Sequence, residues 1–86
     1  MKIYTVTLHI EYIDYDVDGE WKEIEDIILI TSKKKNAMQR FDSMTLEEFF
    51  SGSDIEYQTA AVTLETRKTM STGDFFIAGI EQRSLI

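Results

Sequence analysis

The chain has 86 residues, a hydrophobic content of 43% and a formal net charge of −7, which predicts one small folded domain with no room for a second. It contains no cysteine, which excludes disulfides and thiolate metal sites, and a single histidine, His9, cannot build a conventional zinc site. The longest apolar run, Ile27 to Ile30, is too short to cross a bilayer, so we expect no membrane association and a cytoplasmic location.

The first part of the chain has the pattern of a β-hairpin. Apolar residues occupy the even positions from Tyr4 to Tyr12, with polar residues between them, which predicts a strand with one buried face. Asp18-Gly19 follows, and a second β-rich run covers residues 20–31. Because Asp-Gly favours tight turns, the two strands are expected to pair antiparallel.

The register of this hairpin has two solutions. A two-residue loop sets Ile10 opposite Ile27, but it also sets Glu11 opposite Asp26, and like charges directly opposed are unfavourable. A three-residue loop or a β-bulge would change which side chains face the core. The isoleucines brought to the inner face would then be Ile24, Ile28 and Ile30.

A helical segment is predicted over residues 32–50. Thr31 or Ser32 can cap its start, and Thr45 with Glu48 forms a capping box that would start a second turn. Since the apolar pattern slips between these two starts, the segment is either one bent helix or two short ones.

Two further strands complete the fold. β-Branched residues return from Ile55 to Thr66, and an apolar run over residues 75–80 predicts a final, well-buried strand. Turn-forming residues at 51–53 and 71–74 flank the third strand. The prediction is a single α+β domain over 1–86, of order ββαββ, with two antiparallel hairpins packed on a helical segment.

The charge imbalance lies on the first hairpin. Residues 11–26 hold eight acids and one base, Lys22, whereas the charges of the other residues sum to zero. One interpretation is a solvated tip that keeps the protein soluble and protects its edge strands. The other, which we adopt, is an acidic surface that docks on a basic protein partner. The predicted contact residues, aromatic anchors included, are Glu11, Asp14, Tyr15, Asp16, Asp18, Glu20, Trp21, Glu23, Glu25 and Asp26.

A smaller cluster has the opposite charge. Lys33, Lys34 and Lys35 stand at the predicted start of the helix, where the helix dipole disfavours cations. They either solubilise an exposed helix or form a secondary basic patch that contacts a phosphate or the acidic hairpin of a second copy. A homodimer is therefore among the expected assemblies.

The acidic loop also has the spacing of a calcium site. Acids stand at its first, third and fifth positions, glycine at the sixth and glutamate at the twelfth, so these twelve residues resemble the EF-hand loop. The flanking runs read as strands rather than helices, and Asp-Gly equally suits a plain hairpin turn. The ligands that the resemblance implies are Asp14, Asp16, Asp18 and Glu25 through their side chains and Glu20 through its carbonyl.

Catalysis has no support in the sequence. His9 is the only imidazole, and no nucleophile set or glycine-rich phosphate loop can be assembled, so we predict a protein that is not an enzyme and needs no cofactor. Acidic surroundings disfavour direct nucleic-acid binding. In size, acidity and lack of proline and cysteine the chain is similar to small phage-encoded inhibitors, including anti-CRISPR and DNA-mimic proteins. The alternatives are a calcium-binding module and a structural subunit of a larger assembly.

Overall fold

The computed structural model describes residues 1–51, 54–70 and 73–86 and confirms the α+β fold class and the order ββαββ. The predicted turns at 51–53 and 71–74 fall partly on residues outside the described ones. The strands are β1 (Lys2–Asp14), β2 (Trp21–Thr31), β3 (Ile55–Thr69) and β4 (Phe75–Ser84). Helix α1 (Lys34–Ser43) and a short 3₁₀ helix (Leu46–Glu48) lie between β2 and β3.

The two hairpins join into one antiparallel sheet. Its strand order is β2-β1-β3-β4, so β1 and β3 pair in the centre while β2 and β4 form the two edges. Helix α1 packs against β1, β2 and β3 on one side, which we call the inner face. The opposite side of the sheet is the outer face.

The alternation of apolar and polar residues along β1 places the core on the inner face. The even positions from Tyr4 to Ile10 are buried, as predicted, and Tyr12 is half-buried. The β3 partners of Val6, Leu8 and Ile10 are buried with them. Residues from α1 and the turn after it close the core from the helix side. The buried cluster consists of Tyr4, Val6, Leu8, Ile10, Ala37, Phe41, Met44, Ala60, Val62 and Leu64.

The helical segment is two short helices rather than one bent helix. Lys33 occupies the N-cap position of α1, and the hydroxyl of Thr31 accepts its backbone N–H at 3.0 Å. The predicted capping box at Thr45 and Glu48 is wrong, because Glu48 forms an ion pair with Arg40 at 3.0 Å and Thr45 makes no side-chain cap. No helix within the described ranges is long and apolar enough to span a bilayer.

The two-residue register of the first hairpin is wrong. The connecting loop covers residues 15–20, and Ile10 lies opposite Ile24 instead of Ile27. A bulge in the β1–β2 pair makes Ile28 the extra residue on β2. Ile24 and Ile28 therefore pack against the core, as the second solution expects, whereas Ile30 lies opposite Thr5 on the outer face and is 60% exposed.

The prediction of a well-buried final strand is also wrong. Phe75 and Ile80 are each 59% exposed, and Phe76 and Ile77 are about half exposed. The reason is topological: β4 pairs only with β3, and α1 rests on the other three strands. An apolar run indicates a strand, but it does not reveal whether the strand lies at an edge.

The second half of β4 is tied to the helix by Arg83. Its guanidinium donates to the carbonyl oxygen of Phe41 at 2.5 and 3.1 Å and to that of Met44 at 2.8 Å. The same group lies 5.7 Å from the centre of the Phe41 ring. These bonds satisfy carbonyls at the end of α1, which have no partner within the helix.

Candidate functional site

Strand alternation gathers three carboxylates on the outer face. His9 and Glu11 stand at odd positions of β1, opposite in direction to the buried Leu8 and Ile10. Their partners across the β1–β2 pair are Glu25 and Glu23, respectively. We call the block formed by Glu11, Glu23 and Glu25 around His9 the acidic face.

His9 lies at the centre of this block. Its Nε2 atom is 3.3 Å from a carboxylate oxygen of Glu11, and its Nδ1 atom is 3.6 Å from one of Glu23. In the described part of the chain, no lysine or arginine forms an ion pair with the three glutamates. Within the described ranges, the charges of the three glutamates are therefore not offset by a lysine or an arginine.

Among the residues that the structure describes, side chains of the acidic face and His9 could hold a divalent cation. One ligand atom each of His9, Glu23 and Glu25 lie within 4.8 Å of one another. Imidazole nitrogen and carboxylate oxygen together suit zinc and similar transition metals rather than calcium, which prefers oxygen alone.

The loop over residues 15–20 uses its own carboxylates to build the turn. Asp14 accepts the backbone N–H of Asp16 at 3.0 Å, and Asp18 accepts that of Glu20 at 3.0 Å. These are Asx turns, in which the side chain imitates a backbone turn. Gly19 adopts a φ of 66°, which favours glycine, and donates to the carbonyl of Asp14 at 3.1 Å. We call Asp14, Asp16, Asp18 and Glu20 the acidic tip.

The acidic tip is anchored to the start of β3. Asp16 accepts the backbone N–H of Asp54 at 2.9 Å, while the N–H of Tyr15 donates to the Asp54 carbonyl at 3.0 Å. The Tyr15 hydroxyl donates to Glu56 at 2.5 Å. Asp54 and Glu56 thus extend the acidic tip, a role that the sequence alone did not indicate. Only the β1–β3 pairing, which sets Asp14 opposite Ile55, could have revealed it.

Hydrogen bonds and nearby charges shift the pKa values of three side chains at and beside the acidic tip. The pKa of Asp18 is lowered, chiefly by the N–H of Glu20 and then by Lys22, whose ammonium lies 3.0 Å away. The same contact raises the pKa of Lys22. The pKa of Tyr15 is raised, chiefly by its hydrogen bond to Glu56 and further by slight desolvation and the charges of Glu56 and Asp54. Lys22 therefore offsets the charge of one acid of the hairpin, Asp18, rather than that of all eight acids.

The remaining predicted contact residues are divided by the fold. Tyr15 and Trp21 are both 53% exposed, as interface anchors would be, and Trp21 lies opposite Ile13 next to the acidic face. Asp26 lies opposite Leu8, whose side chain is buried on the inner face, so Asp26 does not belong to the acidic face.

The secondary basic patch lies at the other end of the molecule. Lys33, Lys34 and Lys35 are exposed near the end of β2, where Thr31 pairs with Tyr4 close to the start of β1. Lys2 pairs there with Lys68, beside Arg67, so six of the nine bases share this end. The basic patch and the acidic tip thus lie toward opposite ends of a molecule that is 51 Å long.

The five residues of the hypothetical calcium loop are not gathered around a common point. Asp14 and Asp18 direct carboxylate oxygens to backbone N–H groups, and Asp16 bonds to Asp54. Glu25 stands within β2, opposite His9 on the outer face. Among the described residues, the group with ligand atoms in mutual reach contains only Glu25 of the five.

Comparison with known proteins returned no match, whether to a family model, to a curated protein or to a solved structure. The function is therefore inferred from the geometry and charge of the chain's own residues.

Proposed function

We propose that the chain is a non-catalytic interaction protein that docks its acidic face and acidic tip on the basic surface of a nucleic-acid-binding protein. It would act as an inhibitor of the DNA-mimic type, as small phage-encoded inhibitors do. The observation that carries the proposal is the block of Glu11, Glu23 and Glu25, exposed or half-exposed on one face without a lysine or arginine partner in the described ranges.

The density of charge on the acidic face supports this partner. Glu23 and Glu25 are two residues apart on one strand, about 7 Å, and Glu11 stands on the next strand about 5 Å away. Three negative charges within about 7 Å of strand approach the density of duplex DNA, roughly one per 1.7 Å of helix axis. A groove built to bind phosphates would therefore be complementary to this face.

The fixed backbone positions of the three glutamates also favour docking. They project from a paired central strand and its neighbour, so their backbone positions are fixed before a partner arrives. Preorganised groups lose less conformational entropy on binding than groups in a flexible loop. The two aromatic side chains at the edge of the acidic surface, Tyr15 and Trp21, add exposed apolar area of the kind found at interface centres.

The unfavourable placement of the charges is a further argument for docking. Glu11 and Glu23 face each other directly, which lowers the stability of the free protein. Positively charged groups of a partner would remove this repulsion. Features that break a local rule are expected at functional sites.

The experiment compares two double variants with the same change in net charge. Glu23→Lys with Glu25→Lys alters the acidic face, and Asp42→Lys with Glu47→Lys alters exposed positions of the helical segment. The probe is an arginine-rich decapeptide, titrated by calorimetry at about 50 mM and about 200 mM salt, because screening weakens surface electrostatics over this range. A second readout is displacement of a basic DNA-binding domain from a fluorescent duplex.

We expect the acidic-face variant to lose about tenfold or more in affinity for the decapeptide, equivalent to about 1.4 kcal/mol, and to lose displacement. The helical control should retain both within about threefold, since it keeps the acidic face intact. Equal losses in the two variants would mean that net charge alone drives binding, and the proposal would be wrong.

A further inference from the structure

The first six residues of β4 form an apolar segment at one edge of the sheet. Phe75, Phe76, Ile77 and Ile80 are all exposed, and β3 is the strand that β4 pairs with. The backbone N–H and C=O groups on the far edge of β4 therefore have no strand partner within the described sheet. Such an edge is a template for another strand.

The half of the other edge that lies next to the loop is protected by charge and provides a comparison. Strand β2 carries Lys22, Glu23, Glu25 and Asp26, and charged side chains on an edge discourage pairing with another chain. Residues 75–80 contain neither a charge nor a proline. Residues 75–80 of β4 thus lack the charges that protect residues 22–26 of β2.

We propose that β4 pairs antiparallel with β4 of a second copy, which joins two four-stranded sheets into one of eight strands. Adding a strand satisfies the backbone hydrogen-bonding groups on the free edge of β4. A twofold axis allows the same strand of each copy to form both sides of the interface. This inference does not depend on the proposed docking function. Strands β1 and β3 separate β4 from β2, so the dimer leaves the acidic face free.

The placement of the side chains along β4 fits pairing with itself. A bulge in the β3–β4 pair makes Ala78 an extra residue and reverses the alternation there. As a result Phe75, Ile77 and Ile80 all project to the outer face, opposite Thr69, Arg67 and Glu65. A register that sets Phe75 of one copy opposite Ile80 of the other keeps both side chains on the same face, where they form one apolar patch across the seam.

The area available predicts a weak dimer. Four side chains, each exposing about half of its surface, provide roughly 300–400 Å² of apolar area per copy. The two copies together would bury about 600–800 Å² of it, below the roughly 1,200–2,000 Å² of stable interfaces. The backbone ladder adds to this, so association is expected to depend on concentration.

The test is sedimentation equilibrium of the full chain from about 5 µM to about 1 mM, a range that spans weak association. The mean mass should rise from 10.0 kDa toward twice that value. Ile80→Lys should hold the mean mass near one chain throughout, and Ile77→Lys should do the same. Ile30→Lys is the matched control, because Ile30 is 60% exposed on the outer face at the opposite edge; it should associate like the wild type.

A wild-type mass that stays at one chain up to the highest concentration would overturn the proposal. So would an equal loss of association in the Ile30 and Ile80 variants, because association would then use another surface. Circular dichroism of each variant verifies that the sheet is intact.

Discussion

Glu11 lies directly opposite Glu23 across the β1–β2 pair, with His9 in contact with both carboxylates. The same register sets Ile10 opposite Ile24 and so buries apolar surface against the core. Packing therefore outweighs the repulsion between the two glutamates, which is expected to cost about 0.2–1 kcal/mol. The unfavourable Glu11–Glu23 pair thus lies in the surface that we propose for docking.

Replacing one of the opposed glutamates should stabilise the free protein. We expect Glu23→Gln to raise the free energy of unfolding by about 0.2–1 kcal/mol at low salt, because the like-charge pair is removed. Urea denaturation measures the change, with Glu47→Gln as an exposed control outside the acidic face. The gain should shrink at about 0.5 M salt, where screening is stronger. A loss of stability, or a gain no larger than the control's, would contradict this.

The acidic tip should depend on the backbone freedom of Gly19. Gly19→Ala is expected to lower the free energy of unfolding by about 1–2 kcal/mol, since a φ of 66° strains any residue with a Cβ atom. Steric contact is not the cause, because the nearest atom to an added Cβ is 4.0 Å away on Tyr15. Gly79→Ala is the control: it lies in open space and has no left-handed φ, so it should be neutral or slightly stabilising. Thermal and urea melts compare the two, and equal effects would show that Gly19 has no special role.

Arg83 should stabilise the fold through the end of α1. Because its guanidinium donates to the carbonyls of Phe41 and Met44, we expect Arg83→Ala to cost about 1.5–3 kcal/mol in urea denaturation. Arg83→Lys should recover only part of this, since an ammonium cannot reproduce the fork. The control is Arg67→Ala, which removes an exposed ion pair with Glu65 and should change stability by less than about 1 kcal/mol. A neutral Arg83→Ala variant would contradict the role of this contact.

Calcium should leave the stability of the protein unchanged. The carboxylates of Asp14, Asp16 and Asp18 already accept backbone N–H groups, and Glu25 stands apart from them on β2. A site occupied at a hundred times its dissociation constant would add about 2.7 kcal/mol, so melting with millimolar calcium against a chelator is a sensitive test. A chelator-reversible rise in melting temperature would restore the calcium hypothesis.

Local patterns in the sequence were sufficient for much of the fold. The alternation from Tyr4 to Tyr12 predicted which side of β1 is buried, and it placed His9 and Glu11 together on the other side. The crowding of acids over residues 11–26 likewise predicted where the negative charge lies. These features depend on neighbours along one strand, which the period of the pattern reveals.

Features that depend on pairing between distant segments could not be predicted. The β1–β3 pairing brings Asp54 and Glu56 to the acidic tip, and the bulge at Ile28 puts Ile30 on the outer face together with Ile27. The exposure of Phe75 follows from the position of β4 at an edge. Register, bulges and strand order are decided by packing across the sheet, for which a single sequence contains no direct signal.

The most direct test of docking through the acidic face is to map the contact residue by residue. The measurement is amide chemical-shift perturbation of the labelled full chain during titration with the arginine-rich decapeptide, repeated in higher salt. We predict the largest shifts at residues 9–11 of β1, 15–25 of the loop and β2, and 54–56 of β3, with small changes at residues 33–35 and along β4. Shifts that are spread evenly over the molecule, or centred away from the acidic face, would contradict the proposed function.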